Sequence, residues 1–353
     1  MSFLYRPLLS LYQNNRIIIN RVISAAWLSG LMWLILGELP VYPAQWRAVM
    51  AAGILAVGLW TVEGAFYMAV LALLYPLYHI SIYVLVLFVA LAVLLRPVII
   101  AHFNKTLLIV STPLLAQVHL EAVPALLAGL LWGAGSGMWV GGLAALWFKL
   151  LGGMSGLDID LGILIFSLGG AQGSAALNVN LMMDRFHTAN SLETLQRLVE
   201  PFSPSSIVAL LHLLQIVAWG MAGYLVGAMA KRRWMDERGL PGRVLCLLIG
   251  AALLLAGNLW VPVWLGLRPE EEIMSHLIPQ AVMDSLFAVS VVVLLDSGRR
   301  LLSRPLPPRR HRKPVREPTG PAIESRRPMP LPQRLSEPVR SDKDDDVIMI
   351  ELD

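Results

Sequence analysis

The chain has 353 residues, 56% of them apolar and only 15% charged, with a formal net charge of +4 and a mean hydropathy of +0.64. Soluble domains carry nearer a quarter charged residues, and between Ala48 and Leu95 the only formally charged side chain is Glu63, so no water-facing surface can be assembled from that stretch. The single cysteine, Cys246, lies in an apolar run and excludes disulfides and cysteine-based metal sites. The basic residues sit at the N-terminus, after one central run and in the tail, which is an orientation signal and not a nucleic-acid surface.

A membrane-crossing helix needs about 20 mostly apolar residues. Residues 1–21, with Arg6, Arg16 and Arg21, read as a cytoplasmic N-terminal segment. The apolar run that follows has no clean small-x-small cleavage site at its end, so it reads as a retained first membrane helix and not a signal peptide. The runs that predict spans are 22–39, 48–75, 79–95, 98–119, 122–148, 206–230, 243–264 and 277–296. Run 159–178 is apolar but rich in Gly, Ser and Asn, and is read as not crossing. Residues 150–205 form a polar extracytoplasmic segment. Within it Leu192, Leu195, Leu198 and Val199 recur at helical spacing and predict an interfacial amphipathic helix over 191–199, ended by Pro201 and Pro204.

Lys231, Arg232, Arg233, Arg238 and Arg243 place the next loop in the cytoplasm, while Glu270, Glu271 and Glu272 suit the outside. These constraints give an all-α polytopic membrane domain over 22–298 with about eight spans and both ends inside. Ten spans is the other consistent count; it splits 48–78 at Glu63-Gly64 and lets 159–178 cross. The eight-span count leaves Arg96 and Lys105 on the outer side, against the charge rule. Residues 299–353 are Pro- and Arg-rich and end in an acidic-hydrophobic stretch from Asp342 to Asp353. They cannot bury enough apolar area to offset their ordering entropy, so a disordered cytoplasmic arm is expected.

Run 122–148 carries the clearest pattern. Gly129, Gly133, Gly137, Gly141 and Ala145 recur every four residues, a small-xxx-small series that lets another helix approach closely. Ionisable and polar groups inside hydrocarbon are costly and become candidates for function. Glu63, Asp284, His212 and Gln215 are therefore read as lining a polar cavity, with Gln172 and Asn178 in the Gly-rich segment 167–184 facing a ligand or partner. His212, Gln215 and Trp219 fall on one helix face. His119 and Glu121 lie between two runs, at an expected interface.

Gly153-Met154-Ser155-Gly156 matches the G-x-S-G of rhomboid proteases. That reading fails because His212, the available base, is flanked by Leu211 and Leu213 and lacks the expected preceding glycine. No enzyme, cofactor or metal set is expected. In composition, the Gly-rich helices and sparse charge of the middle of the chain resemble the substrate-binding membrane subunits of energy-coupling-factor transporters and rod-shape membrane proteins; no residue role follows from that resemblance. The expectation is a bacterial cell (inner) membrane protein, in contact with the lipid bilayer, that binds or translocates a small solute through a Gly-rich helical core. The alternative is a non-enzymatic scaffold that recruits a cytoplasmic protein through residues 299–353.

Overall fold

A continuous apolar stretch announces hydrocarbon but not where the chain turns. In the computed structural model, hydroxyl side chains supply two of the turns. Thr61 adopts an extended conformation, and its side chain accepts from the Gly64 N–H at 3.1 Å. This ends α2 (Ala44–Trp60) and starts α3 (Val62–Ile80). Ser81 does the same, accepting from the Tyr83 N–H, and separates α3 from α4 (Ile82–Ala101). Run 48–75 is thus two helices. The break comes two residues before Glu63, where the ten-span alternative also split it. Before them lies α1 (Arg16–Glu38).

The structure describes residues 12–39, 41–154, 179–233, 237–267 and 277–303. The chain divides into two units, Met1–Leu306 and Pro307–Asp353. The second lies outside the described residues, as do run 159–178, Gln172, Asn178 and Ser155. The described residues contain helices and no strand, and six stretches are long and apolar enough to cross a membrane. These are α1, α4, α8 (Ala134–Met154), α11 (Ser206–Ala230), the stretch Leu240–Trp264, and α14 (Ile278–Ser303). Leu240–Trp264 comprises α12 (Leu240–Leu255), a π-helical turn at Ala256–Trp260 and α13 (Val261–Trp264).

Runs 98–119 and 122–148 are rearranged. After His102 come two short helices, α5 (Phe103–Val110) and α6 (Thr112–Gln117). A turn follows in which His119 takes φ 61°, a left-handed conformation uncommon outside glycine. The next helix, α7 (Val123–Trp132), stops after ten residues at Gly133, whose φ of 86° suits glycine, and α8 begins at once in the opposite direction. The predicted single helix 122–148 is therefore a hairpin. The glycine series does not form one stripe: Gly129 and Gly137 face each other across the hairpin, and Gly133 is its turn. Sequence periodicity could not reveal this, because any glycine of the series can serve either purpose.

A chain of contacts gathers Arg21, Arg96, Lys105, Lys231, Arg243 and Arg300 at one end of the bundle. Arg21 donates to the Trp60 carbonyl, and Glu63, just beyond, pairs with Arg96 at 3.5 Å. Ser24 bonds Asn104 at 2.6 Å, and neighbouring Lys105 donates to Ser136 at 3.0 Å and sits over the Trp132 ring. The Lys231 side chain lies over Gly133. Arg243 and Arg300 both bind Asp296, at 2.7 and 3.0 Å. At the other end, Met182 and Phe186 of α9 (Val179–Phe186) pack with Leu39, Ile80 and Val84, and Arg185 donates to the Gly153 carbonyl at 2.9 Å. The amphipathic helix is present as α10 (Ser191–Val199), closed by a capping box between Asn190 and Glu193. Leu192, Leu195 and Val199 are exposed on it.

Helices α7, α8 and α11 meet backbone to backbone. A side chain added at Gly223 would strike the Gly137 carbonyl, one at Gly141 the Trp219 carbonyl, and one at Gly227 the backbone of Gly133 and Ala134. Around this junction lie Leu126, Phe148, Trp219, Val226 and Leu247, all buried. A second core joins α1, α2, α3 and α5 through Leu28, Met32, Leu36, Ile54, Ala65 and Leu107. Gly223→Val should lower the apparent melting temperature in detergent sharply. It should cost at least the 1–3 kcal/mol or so typical of overpacking, since the obstacle is backbone and cannot rotate away. Gly135→Ala, where nothing lies within 4 Å, should leave the midpoint unchanged.

Candidate functional site

The close approach of α8 and α11 brings a polar cluster into the core. On α8 the positions Gly137, Gly141 and Ala145 face α11, and the next position in that register is Lys149. It is 2% exposed. Its ammonium donates to Gln215 Oε1 at 2.5 Å and lies 2.9 Å from His212 Nδ1. His212 and Gln215 are also buried, one turn apart on α11. An ammonium remains a donor, so this contact fixes His212 Nδ1 as acceptor and places the ring proton on Nε2. In the same way it turns the Gln215 amide so that its NH2 points away from Lys149. Neither the Nε2 atom of His212 nor that of Gln215 has a partner within hydrogen-bond geometry. The Pro201 carbonyl faces the His212 ring, and Phe202 meets it edge-on.

One turn further along α11, buried Trp219 donates its indole N–H to Asn258 Oδ1 at 3.2 Å. Asn258 stands in the π-helical turn, and Gly257 beside it admits Ala218 of α11. Such turns place one extra residue in a helix and often mark functional segments. Here the turn brings the half-buried Asn258 amide to the Trp219 indole.

A second cluster lies at the turn between α6 and α7. His119 Nδ1 is 3.3 Å from Asp284 Oδ2, and the carboxylate of Asp284 is 12% exposed. Glu121 is 9% exposed, and the charged groups that bear on it are Asp284 and His119. Glu121 Oε2, Asp284 Oδ2 and His119 Nδ1 are all buried with no partner in hydrogen-bond geometry.

The four polar side chains expected to share one cavity are therefore distributed. His212 and Gln215 come together, through a lysine that was not anticipated. Asp284 pairs with His119 and approaches Glu121. Glu63 stands at the start of α3, 55% exposed, paired with Arg96 and not with Asp284. Among the described residues no group of three or more His, Cys, Asp and Glu could hold a metal ion. No protein-family model matches the chain, and neither a curated protein nor a solved structure matches it.

Lys149→Ala strands two buried acceptors, Gln215 Oε1 and His212 Nδ1, at about 1–3 kcal/mol each. A clear fall in thermal midpoint in detergent is the expected outcome. Replacing the polar partners together, as Lys149→Met with Gln215→Leu and His212→Leu, should recover much of that loss.

Proposed function

We propose that this chain is an integral-membrane subunit that binds or translocates a small solute, and that Lys149, His212 and Gln215 form the polar site the solute meets. The observation that carries this reading is the burial of Lys149 on the glycine face of α8. An ammonium inside a membrane bundle costs several kcal/mol, and such groups mark solute and ion pathways. A purely structural contact between α8 and α11 needs no charge, since the glycines already provide it. The Gln215 NH2 has no partner in hydrogen-bond geometry and is a donor, and with the ammonium it suits an acceptor-rich solute bearing a carboxylate, phosphate or carbonyl group.

The same reading assigns eight crossings. They are the six long stretches together with α2 and α3, the latter being 19 residues or about 28 Å at 1.5 Å per residue. Helices α5, α6 and α7 enter and leave by the basic end, so they do not cross. The contact of Arg185 with the Gly153 carbonyl puts α9 at the same end of the bundle as the last residues of α8. The basic end then lies in the cytoplasm of a cell membrane. These eight differ from the runs read from the sequence, and in this arrangement Arg96 and Lys105 fall on the cytoplasmic side.

Two measurements test this. In a background with Cys246→Ser, single cysteines at Gly135 and Lys231 should label from the cytoplasmic face and one at His187 from the opposite face. In a panel of carboxylate, phosphate and cationic solutes, an acceptor-rich member should raise the melting temperature of purified protein. That rise should vanish in Lys149→Met with Gln215→Leu and persist in Gly135→Ala. A panel without any shift, or a shift that survives loss of Lys149, would overturn the solute assignment.

A further inference from the structure

We propose that the tip of the α5–α7 excursion is a proton-binding site inside the membrane, in which Glu121 and Asp284, flanked by His119, take up and release a proton. This inference rests on the membrane placement given above but not on the solute assigned to Lys149.

Depth comes first. Helix α7 has ten residues and so rises about 15 Å from the cytoplasmic turn at Gly133, roughly half of a hydrocarbon core about 30 Å thick. Asp284 on α14 lies about 18 Å of helix away from Asp296, which is tied to Arg243 and Arg300 at the same cytoplasmic end. Both lines of geometry put the cluster near mid-membrane. A chain that descends to that depth and returns must hide its unpaired backbone against protein. This one does so against α8, α11 and α14, with Ala116, Ala122, Val123 and Ala288 buried around the turn.

Chemistry comes second. Polar atoms buried in such a place normally find partners. Here Glu121 Oε2 has none, and the 3.3 Å contact between Asp284 Oδ2 and His119 Nδ1 falls outside hydrogen-bond geometry. A neutral His119 can turn its one N–H to Asp284, but Glu121 Oε2 is then left without a donor beside a second carboxylate. A single proton held between them converts one acceptor into a donor and relieves both problems. No other described charge is spent on neutralising them. Of the basic groups on the elements packed around α7, Lys105 binds Ser136, Lys149 binds His212 and Gln215, and Arg243 and Arg300 bind Asp296. Lys231 lies at Gly133, and the thiol of Cys246 is buried in α12. A metal ion is a poorer occupant, because these side chains do not converge as a ligand set.

The experiment is infrared difference spectroscopy on the full-length protein in lipid nanodiscs, recorded between acid and alkaline pH in H2O and D2O. The parent protein should show a protonated-carboxyl C=O band that is lost on going alkaline and shifts down in D2O. Glu121→Gln should remove that band, Asp284→Asn should move or weaken it, and Glu63→Gln, an exposed acid, should leave it in place. Two isosteric variants at separate positions guard against misfolding, and each is accepted only if its thermal midpoint stays near the parent's. If the difference spectra of Glu121→Gln and Asp284→Asn both match the parent's, the proposal fails. Loss of the solute shift with the band intact sinks only the solute reading. His187 and Lys231 labelling from one face sinks the membrane placement on which both depend.

Discussion

The contact between Gly137 and Gly223 governs this molecule. Hydrocarbon offers no hydrophobic driving force to press one apolar helix on another, so association relies on contact over short distances. Bare backbone on both sides gives the shortest distance available. Once α8 and α11 touch there, the rest of their faces is in register. Trp219 is laid against Gly141, and Lys149 is carried to His212 and Gln215. The hairpin to α7 follows from the same surface, because Gly129 uses the opposite side of the Gly223 carbonyl. The polar cluster is thus a by-product of the apolar one: the glycines fix the spacing that brings the ammonium within reach of its partners.

Much of this was legible in the chain. Sparse charge signalled the membrane, and the small-xxx-small series signalled intimate packing. The capped helix at Ser191–Val199 announced itself by its leucine spacing. Lys149 was legible too, being the next member of the series after Ala145, but a lysine followed by Leu150, Leu151 and two glycines resembles the end of a membrane run. The break at Thr61 had a local cause, a hydroxyl able to cap the next helix, hidden in a run whose hydropathy never falters.

Other features were not available to any reading of one sequence. Which glycine of the series becomes a turn is decided by what packs on it, and Gly133 was chosen because α7 and α8 must both meet α11. The meeting of Glu121 with Asp284 joins residues far apart in the chain, and no local pattern encodes it. Glu63 illustrates the converse. Its isolation in an apolar run made it the most suspicious acid in the chain, yet a helix start just before it carries it to the bundle end and to Arg96. A polar residue in an apolar run acquires meaning only once the depth of its helix end is known.

The glycine face of α8 also has a consequence for assembly during synthesis. Helix α11 is made only after residues 155–205 have left the ribosome, so α8 enters the bilayer before the surface that covers it exists. During that interval the face that α11 will cover has no partner from the second half of the chain. Helix α7 is too short to be retained in the bilayer unaided, and it is held by the hairpin that α8 closes behind it. Completion of this core therefore waits on a helix from the second half of the chain.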